Sequence, residues 1–317
     1  MSNSAVEITK SFAPGRARRR RRQITNAVML TIAGLFTVLA VGMLVWIVGY
    51  VVYRGGPSVN LAFMTQTPTP LGVEGGGVLH AIEGTLILTA LGALFAIPPG
   101  VIAAFYVAYH PNTPLGTAVR FGVDVLAGVP SIVIGIFGYV LIVKNAGHYS
   151  ALAGGIALSI LMLPIIIRTT EEMLKLVPGT LREGSLALGA PEWKTALKVT
   201  LPAALSGIVT GVLLGIARAA GETAPLLFTA LGNDRFEVGK MVKTGLASGQ
   251  NIFQVISSII QQPVDSLPLT LFKYSQQPFP ERVNQAWGVA LVLMILVLVT
   301  NLGARLWVQR RSSHLKG

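Results

Sequence analysis

Six long, predominantly apolar stretches carry no Asp, Glu, Lys or Arg: residues 23–53, 84–119, 125–143, 145–167, 199–217 and 283–304. A helix rises about 1.5 Å per residue, so about 20 apolar residues cross a bilayer. The pattern predicts six such helices, near 27–53, 81–108, 117–142, 151–168, 203–231 and 286–308. Backbone polar groups in lipid must pair within their own segment, which makes helices the rule for runs of this length. The short alternating segments of a membrane β-barrel do not occur. Pro98-Pro99-Gly100 predicts a bend in the second helix, kept as one element because its halves would be too short to span. Gly128-Val129-Pro130 predicts an irregular third helix.

Composition supports an all-α polytopic membrane protein. Hydrophobic residues make up 52% and charged residues 12%, about half the usual charged share of soluble domains. With no cysteine, disulfides, thiol catalysis and Cys-ligated metals are excluded. His80, His110, His148 and His314 show no metal-ligand spacing, so no metal is expected.

The net charge of +12 has two readings, a nucleic-acid or anionic-lipid surface and a topology signal. The arginine run Arg16–Arg22 directly precedes the first span, and no aromatic interleaving accompanies it. Positive residues keep short flanks inside, so the N-terminus reads as cytoplasmic. Six crossings return the C-terminus, with Arg305, Arg310, Arg311 and Lys316, to the same face. The basic excess then falls on one face, and the bilayer replaces nucleic acid as the partner. The first apolar run is too long for a signal peptide and reads as a retained anchor. The expected organisation is a basic cytoplasmic tail (1–26), an anchor helix with an outer loop (27–80), a transmembrane domain (81–310) with a cytoplasmic loop (169–202), and a short tail (311–317).

Among the loops, residues 55–80 are rich in Gly, Pro and Thr, and 232–282 include Asn251–Ile260, where Phe253, Ile256 and Ile260 recur at helical spacing. Either outer segment is open to a soluble partner. In the inner loop, Gly189 and Pro191 separate two short helical stretches. That loop is either a docking element for a soluble partner or a solvated amphipathic connector.

Charge inside the fifth span is the exception to its pattern. A charge at bilayer depth costs at least about 2.5–3.5 kcal/mol, yet Arg218 and Glu222 stand there four residues apart, on one helix face. Gly207, Gly211 and Gly215 form a small-residue seam on that same face, which predicts that it meets another helix. The pair is either a structural ion pair or part of a pathway. Elsewhere, Asp124 is expected to pair with Arg120, Glu83 to snorkel to the outer surface, and Ser131, after Pro130, to line the path.

The inner loop resembles the coupling loop of ABC importer permeases: Glu183-Gly184-Ser185, then Gly189, Pro191, and the later Leu201-Pro202. Gly184 and Ser185 stand where that family usually has two alanines. Thr65–Pro70 with Gly75-Gly76-Gly77, Ala127–Val133, Arg218–Pro225, Ser266-Leu267-Pro268 and the stretch from Ala286-Trp287 to Arg305 are similar to the A-type permeases of phosphate-specific importers. The similarity covers about residues 60–310, with 233–262 departing from it.

The resemblance implies a type I importer fold and a substrate path through Arg218 and Glu222. Glu183, Gly184, Ser185, Gly189, Pro191, Leu201 and Pro202 would form the coupling region. Implied partners are a paralogous C-type permease, an ATPase dimer that uses ATP and Mg, and an extracytoplasmic phosphate-binding protein. Inorganic phosphate is the implied cargo, and no cofactor is held by this chain. A guanidinium fork suits phosphate oxygens. Sulfate or molybdate would suit it too, so a permease for another oxyanion stands as an alternative. The chain has no Gly-x4-Gly-Lys-Ser/Thr phosphate loop, so it is not expected to hydrolyse ATP. An ion-coupled secondary transporter would leave the inner helical loop without a role. An intramembrane enzyme would need an HExxH or GxSxG pattern, and neither occurs.

Overall fold

The structure is a computed structural model that describes residues 16–70, 73 and 75–313. The basic tail before Arg16 and residues 314–317, with His314 and Lys316, lie outside the described residues. The chain divides into two compact units, residues 1–53 and 54–317.

The first unit is built on α1 (Arg16–Gly55), whose last two residues belong to the second. Its apolar positions run all round the helix, as in a membrane span. Forty residues make about 60 Å of helix, twice the hydrocarbon thickness, so the arginine-rich first turns extend beyond the apolar section. Thr25, Thr31 and Thr37 donate their hydroxyls to carbonyls one turn back, at 2.8–2.9 Å. That leaves no hydroxyl of these three unpaired in lipid.

The second unit contains the remaining helices. After a short helix, Leu61–Thr65, the main ones in chain order are α2 (Leu79–Tyr109), α3 (Pro114–Gly128), α4 (Ser131–Gly138), α5 (Ala151–Lys175), α6 (Gly179–Ala187), α7 (Glu192–Thr195), α8 (Leu201–Ala220), α9 (Ala224–Thr229), α10 (Val238–Ala247), α11 (Ile252–Ile260), α12 (Leu267–Ser275) and α13 (Pro280–Ser313). One parallel bridge, Leu231 to Val264, is the only strand-like pairing among the described residues.

Small residues set the helix packing. A Cβ on Gly92 would lie 3.2 Å from the Leu158 Cβ, one on Gly155 2.5 Å from the Leu91 Cβ, and one on Gly100 2.9 Å from Ile166. These contacts rise together along both helices, so α2 and α5 run parallel. Parallel neighbours joined by residues 110–150 require that segment to return to the starting face. The bent pair α3–α4 therefore makes one crossing, although its halves meet at 102°. The expected third helix, 117–142, is thus corrected to two helices. Pro130, which has no N–H to donate, stands as N-cap of the second. Beyond Gly138, α4 continues through a π-helical turn, Tyr139–Val143, to Ala146.

α8 runs antiparallel to α5. A Cβ on Gly207 would overlap Met173, one on Gly211 would overlap Thr169, and one on Gly215 would lie 3.5 Å from Ile166. The glycine face thus meets another helix, as close backbone approach requires. The second helix keeps Pro98 and Pro99 inside one element. The expected fourth helix, 151–168, extends to Lys175. The second stretch of the inner loop does not stand alone, because Glu192–Ala220 is one continuous helical segment through a π-helical turn. The expected fifth helix, 203–231, is corrected most: it stops at Ala220 and restarts at Ala224.

Candidate functional site: a charged break between two half-helices

The site sits where two interrupted helices meet. Packing fixes its level. Gly215 lies against Ile166 and Met162 of α5, and Ile166 and Leu158 lie against Gly100 and Gly92 of α2. Gly92–Gly100 is the middle of α2, so Arg218, three residues beyond Gly215, stands at the centre of the spans. There α8 ends: the Gly221 and Glu222 N–H groups donate to the Arg218 and Ala219 carbonyls at 3.1 and 3.2 Å, and the helix does not continue. Non-helical backbone at this depth is tolerated where it is covered by protein or lines a polar cavity.

α4 packs along α9 beside this break. A Cβ on Gly135 would lie 2.6 Å from the Pro225 Cα, and one on Gly138 would lie 2.9 Å from the Thr229 methyl. The two half-helices run in the same direction, one turn in step. Ser131, one turn before Gly135, therefore lies level with Gly221-Glu222, one turn before Pro225. The sequence places these breaks about ninety residues apart, and the fold brings them side by side.

Arg218 Nε lies 3.6 Å from Glu222 Oε1, and the Arg218 side chain is 57% exposed against 19% for Glu222. The contact is too long for a charge-assisted hydrogen bond, and the guanidinium has no other partner among the described residues. Glu222 lies past the end of α8, so the continuous-helix face expected for the pair is corrected. The buried stripe of α8 runs through Gly211, Gly215 and Ala219, and Arg218 stands at its edge with the fork open.

The 169–202 segment is a self-supporting helix–turn–helix. Gly189 adopts φ +80°, a conformation glycine takes without strain, and Pro191 is the N-cap of α7. Ser185 and Thr195 hydroxyls lie 2.9 Å apart, and Arg182 lies 3.6 Å from Glu192. Pro202 stands in the first turn of α8, next to Leu201. Glu183, Gly184, Gly189 and Pro191 are exposed. So are Leu188 (90%) and Trp193 (66%), two apolar knobs that reading the motif did not single out. Their signal was available: large apolar side chains in an otherwise polar loop.

Other charges are rearranged relative to expectation. Asp124 pairs with Arg168 rather than Arg120. Arg120 donates to Glu171 at 2.8 Å and to the carbonyls of Val107 and Pro111. Glu83 does not snorkel: its carboxylate accepts from the Val238 N–H at 2.9 Å and so caps α10.

A buried charge cluster escaped sequence reading altogether. His80, fully buried at the start of α2, has its Nε2 3.6 Å from Asp265, and 4.0 Å from Asp234. These three side chains are the one group among the described residues with metal-ligand proximity. Lys273 supplies the cation, however: its Nζ lies 2.7 Å from Asp234 and bonds Asp265 directly. Burial pushes the Asp265 carboxyl up, but His80 and Lys273 outweigh it and hold it down at about 2. A depressed carboxyl stabilises the fold above its ordinary value and loses that contribution as pH falls. Acidification from about pH 4 to pH 2 is therefore expected to remove on the order of 2 kcal/mol. Thermal unfolding of the detergent-solubilised protein checks this, with Asp265→Asn expected to lack that pH step.

Residues 96–313 match the family described as "Binding-protein-dependent transport system inner membrane component". Among curated proteins, the phosphate transport system permease protein PstA of Yersinia pestis is 39% identical over 96% of this chain and 96% of its own length. PstA of Haemophilus influenzae is 37% identical over 92% and 96%. Among solved structures, an inward-facing MetNI methionine ABC transporter chain aligns with a TM-score of 0.55 at 20% identity, covering 74% of this chain and 95% of that one. A bacterial alginate ABC transporter aligns at 0.52 and 14%, covering 90% and 98%. These two show the fold, that of an ABC importer permease.

The class is thus a multi-pass permease subunit of a binding-protein-dependent ABC transporter, a membrane protein that works in a complex with other subunits and is not itself an enzyme. Within that family the chain belongs with the PstA-type permeases.

Proposed function

We propose that this chain forms half of the translocation path of an ATP-driven inorganic phosphate importer. The observation that carries the reading is the Arg218–Glu222 pair at a mid-depth helix break, in a chain whose relatives are phosphate permeases. A guanidinium with an open fork at the membrane centre suits a phosphate mono- or dianion. Glu222 balances Arg218 in the empty path and accepts from a protonated phosphate oxygen. Ser131, at the uncapped start of α4, adds a hydroxyl beside the first-turn N–H groups, a setting that favours anions.

The positive-inside pattern supports cytoplasmic termini, with tail 1–26, anchor and outer loop 27–80, permease domain 81–310 and tail 311–317. On that reading 169–202 lies in the cytoplasm. There Glu183, Gly184, Ser185, Gly189, Pro191, Leu201 and Pro202 form the seat of an ATPase dimer that consumes ATP and Mg, while this chain binds no cofactor. A paralogous C-type permease completes the path, and a phosphate-binding protein delivers cargo outside. The transported anion must bind the inward- and outward-facing states differently for the cycle to have direction. Uptake of labelled phosphate by the reconstituted complex, with sulfate and molybdate as competitors, tests the reading. Phosphate is expected to enter only with ATP and to be displaced by unlabelled phosphate. Equal displacement by sulfate would assign a general oxyanion path, and uptake without an ATPase subunit would sink the importer.

A further inference from the structure

We infer that Tyr109 is a positioning residue, the strut that joins the partner-facing helix α6 to both α2 and the foot of α8. The inference rests on the proposed role of the 169–202 segment in ATPase coupling.

α6 has no buried residue, so apolar packing does not fix it to the bundle. A cleft of about 180 Å³ opens between it and the ends of α2 and α5, with Tyr109, Pro178, Arg182 and Thr200 in its wall. Across that cleft the attachments are polar and few, and they converge on one side chain. Tyr109 is the last residue of α2. Its ring carries the Arg182 guanidinium of α6, 4.2 Å from the centroid, within the range of a cation–π contact. Its hydroxyl lies 2.7 Å from the Thr200 hydroxyl, and Thr200 is the buried N-cap residue of α8. Arg182 also reaches Glu192 at the start of α7. One tyrosine thus touches the helix proposed to receive the push, the helix that carries Arg218, and the helix that packs along α5.

A displacement of α6 reaches the foot of α8 also through the Ser185–Thr195 contact and the continuous segment Glu192–Ala220, but across the cleft it reaches α2 through Tyr109. Losing the strut frees the helix–turn–helix and α8 to move without moving α2. The complex would then still bind its ATPase and hydrolyse ATP, but would import less per ATP. Couplings of this kind change by about twofold to thirtyfold on mutation.

The test uses the whole complex in proteoliposomes and reads phosphate imported per ATP hydrolysed. Tyr109→Leu is expected to lower that ratio about tenfold with the ATPase subunit still co-purifying. Tyr109→Phe keeps the ring beneath Arg182 and is expected to restore part of the ratio, and its near-isosteric shape protects folding. Combining Tyr109→Leu with Arg182→Gln is expected to cost less than the sum of the two single variants, since they share the Tyr109–Arg182 contact. An unchanged ratio in Tyr109→Leu, or proportional loss of hydrolysis and uptake, overturns the strut. Loss of the ATPase subunit from the Tyr109 variants alone overturns it as well, by making Tyr109 a docking residue. Failure of the unmutated complex to hold an ATPase refutes instead the coupling role on which the strut rests.

Discussion

Arg218→Gln is expected to reduce phosphate uptake by at least about a hundredfold, with this chain still inserted and assembled with its partner subunits. Gln keeps much of the length and polarity of the side chain but removes the charge and the planar fork. An anion held by this guanidinium on the proposed path forfeits a charge-assisted contact, which is where the large factor comes from. The fold is expected to tolerate the change. Arg218 is more than half exposed, its contact with Glu222 is a loose 3.6 Å, and it makes no other contact among the described residues. Exposed pairs of this kind contribute little stability. Membrane-fraction immunoblotting and pull-down of the partner subunits check assembly, and labelled phosphate uptake checks transport. Full uptake by the variant refutes the ligand role. The exchanged variant, Arg218→Glu with Glu222→Arg, separates a pathway from a structural pair. A structural pair survives the exchange, whereas a path built for an anion loses transport because the cation has moved past the helix break.

Much of the scaffold was legible because lipid imposes a simple rule on composition. The continuity of the second helix through Pro98 and Pro99 matches the expectation of one element, and the spacing of Gly207, Gly211 and Gly215 identifies the glycine face of α8. Two breaks were only half legible. Pro130 announced an irregularity, but not a 102° bend, which depends on how α4 packs against α9. The stop at Gly221 is masked by the apolar residues that resume at Ala224–Thr229, although Gly221 and Pro225 are the helix-stop and helix-start signals that mark it. The charge pair marked the place without marking the break. The juxtaposition of the two breaks was beyond sequence reading, since it depends on the match of Gly135 to Pro225 and Gly138 to Thr229. The cluster of His80, Asp234, Asp265 and Lys273 was invisible for a related reason. Its members are scattered over nearly two hundred residues, and no local spacing links them. The exchange of partners around Asp124 shows the same limit. An i,i+4 neighbour is only one candidate, and the antiparallel packing of α3 on α5 brings Arg168 to Asp124 and Glu171 to Arg120.

At the coupling segment, Glu183→Lys is expected to weaken ATPase docking strongly, and Trp193→Ala to weaken it by about thirtyfold, a loss on the order of 2 kcal/mol. Both side chains face outward, so neither substitution disturbs the internal ties of the helix–turn–helix. Those ties are the Ser185–Thr195 contact, the Arg182–Glu192 pair and the turn at Gly189. That separation makes the prediction sharp. A loop that only connects two spans would not respond to changes on its exposed face, because surface substitutions away from structural features usually stay within about 0.5 kcal/mol. A docking element would respond most at a large aromatic side chain and at a charge reversed against its partner. Leu188, 90% exposed, is the second apolar knob of the segment, and Leu188→Asp is expected to act in the same direction. Co-purification of the ATPase subunit with each variant gives the binding result, and ATP-dependent uptake gives the consequence. Normal binding and transport in Glu183→Lys and Trp193→Ala together would reduce the 169–202 segment to a solvated connector.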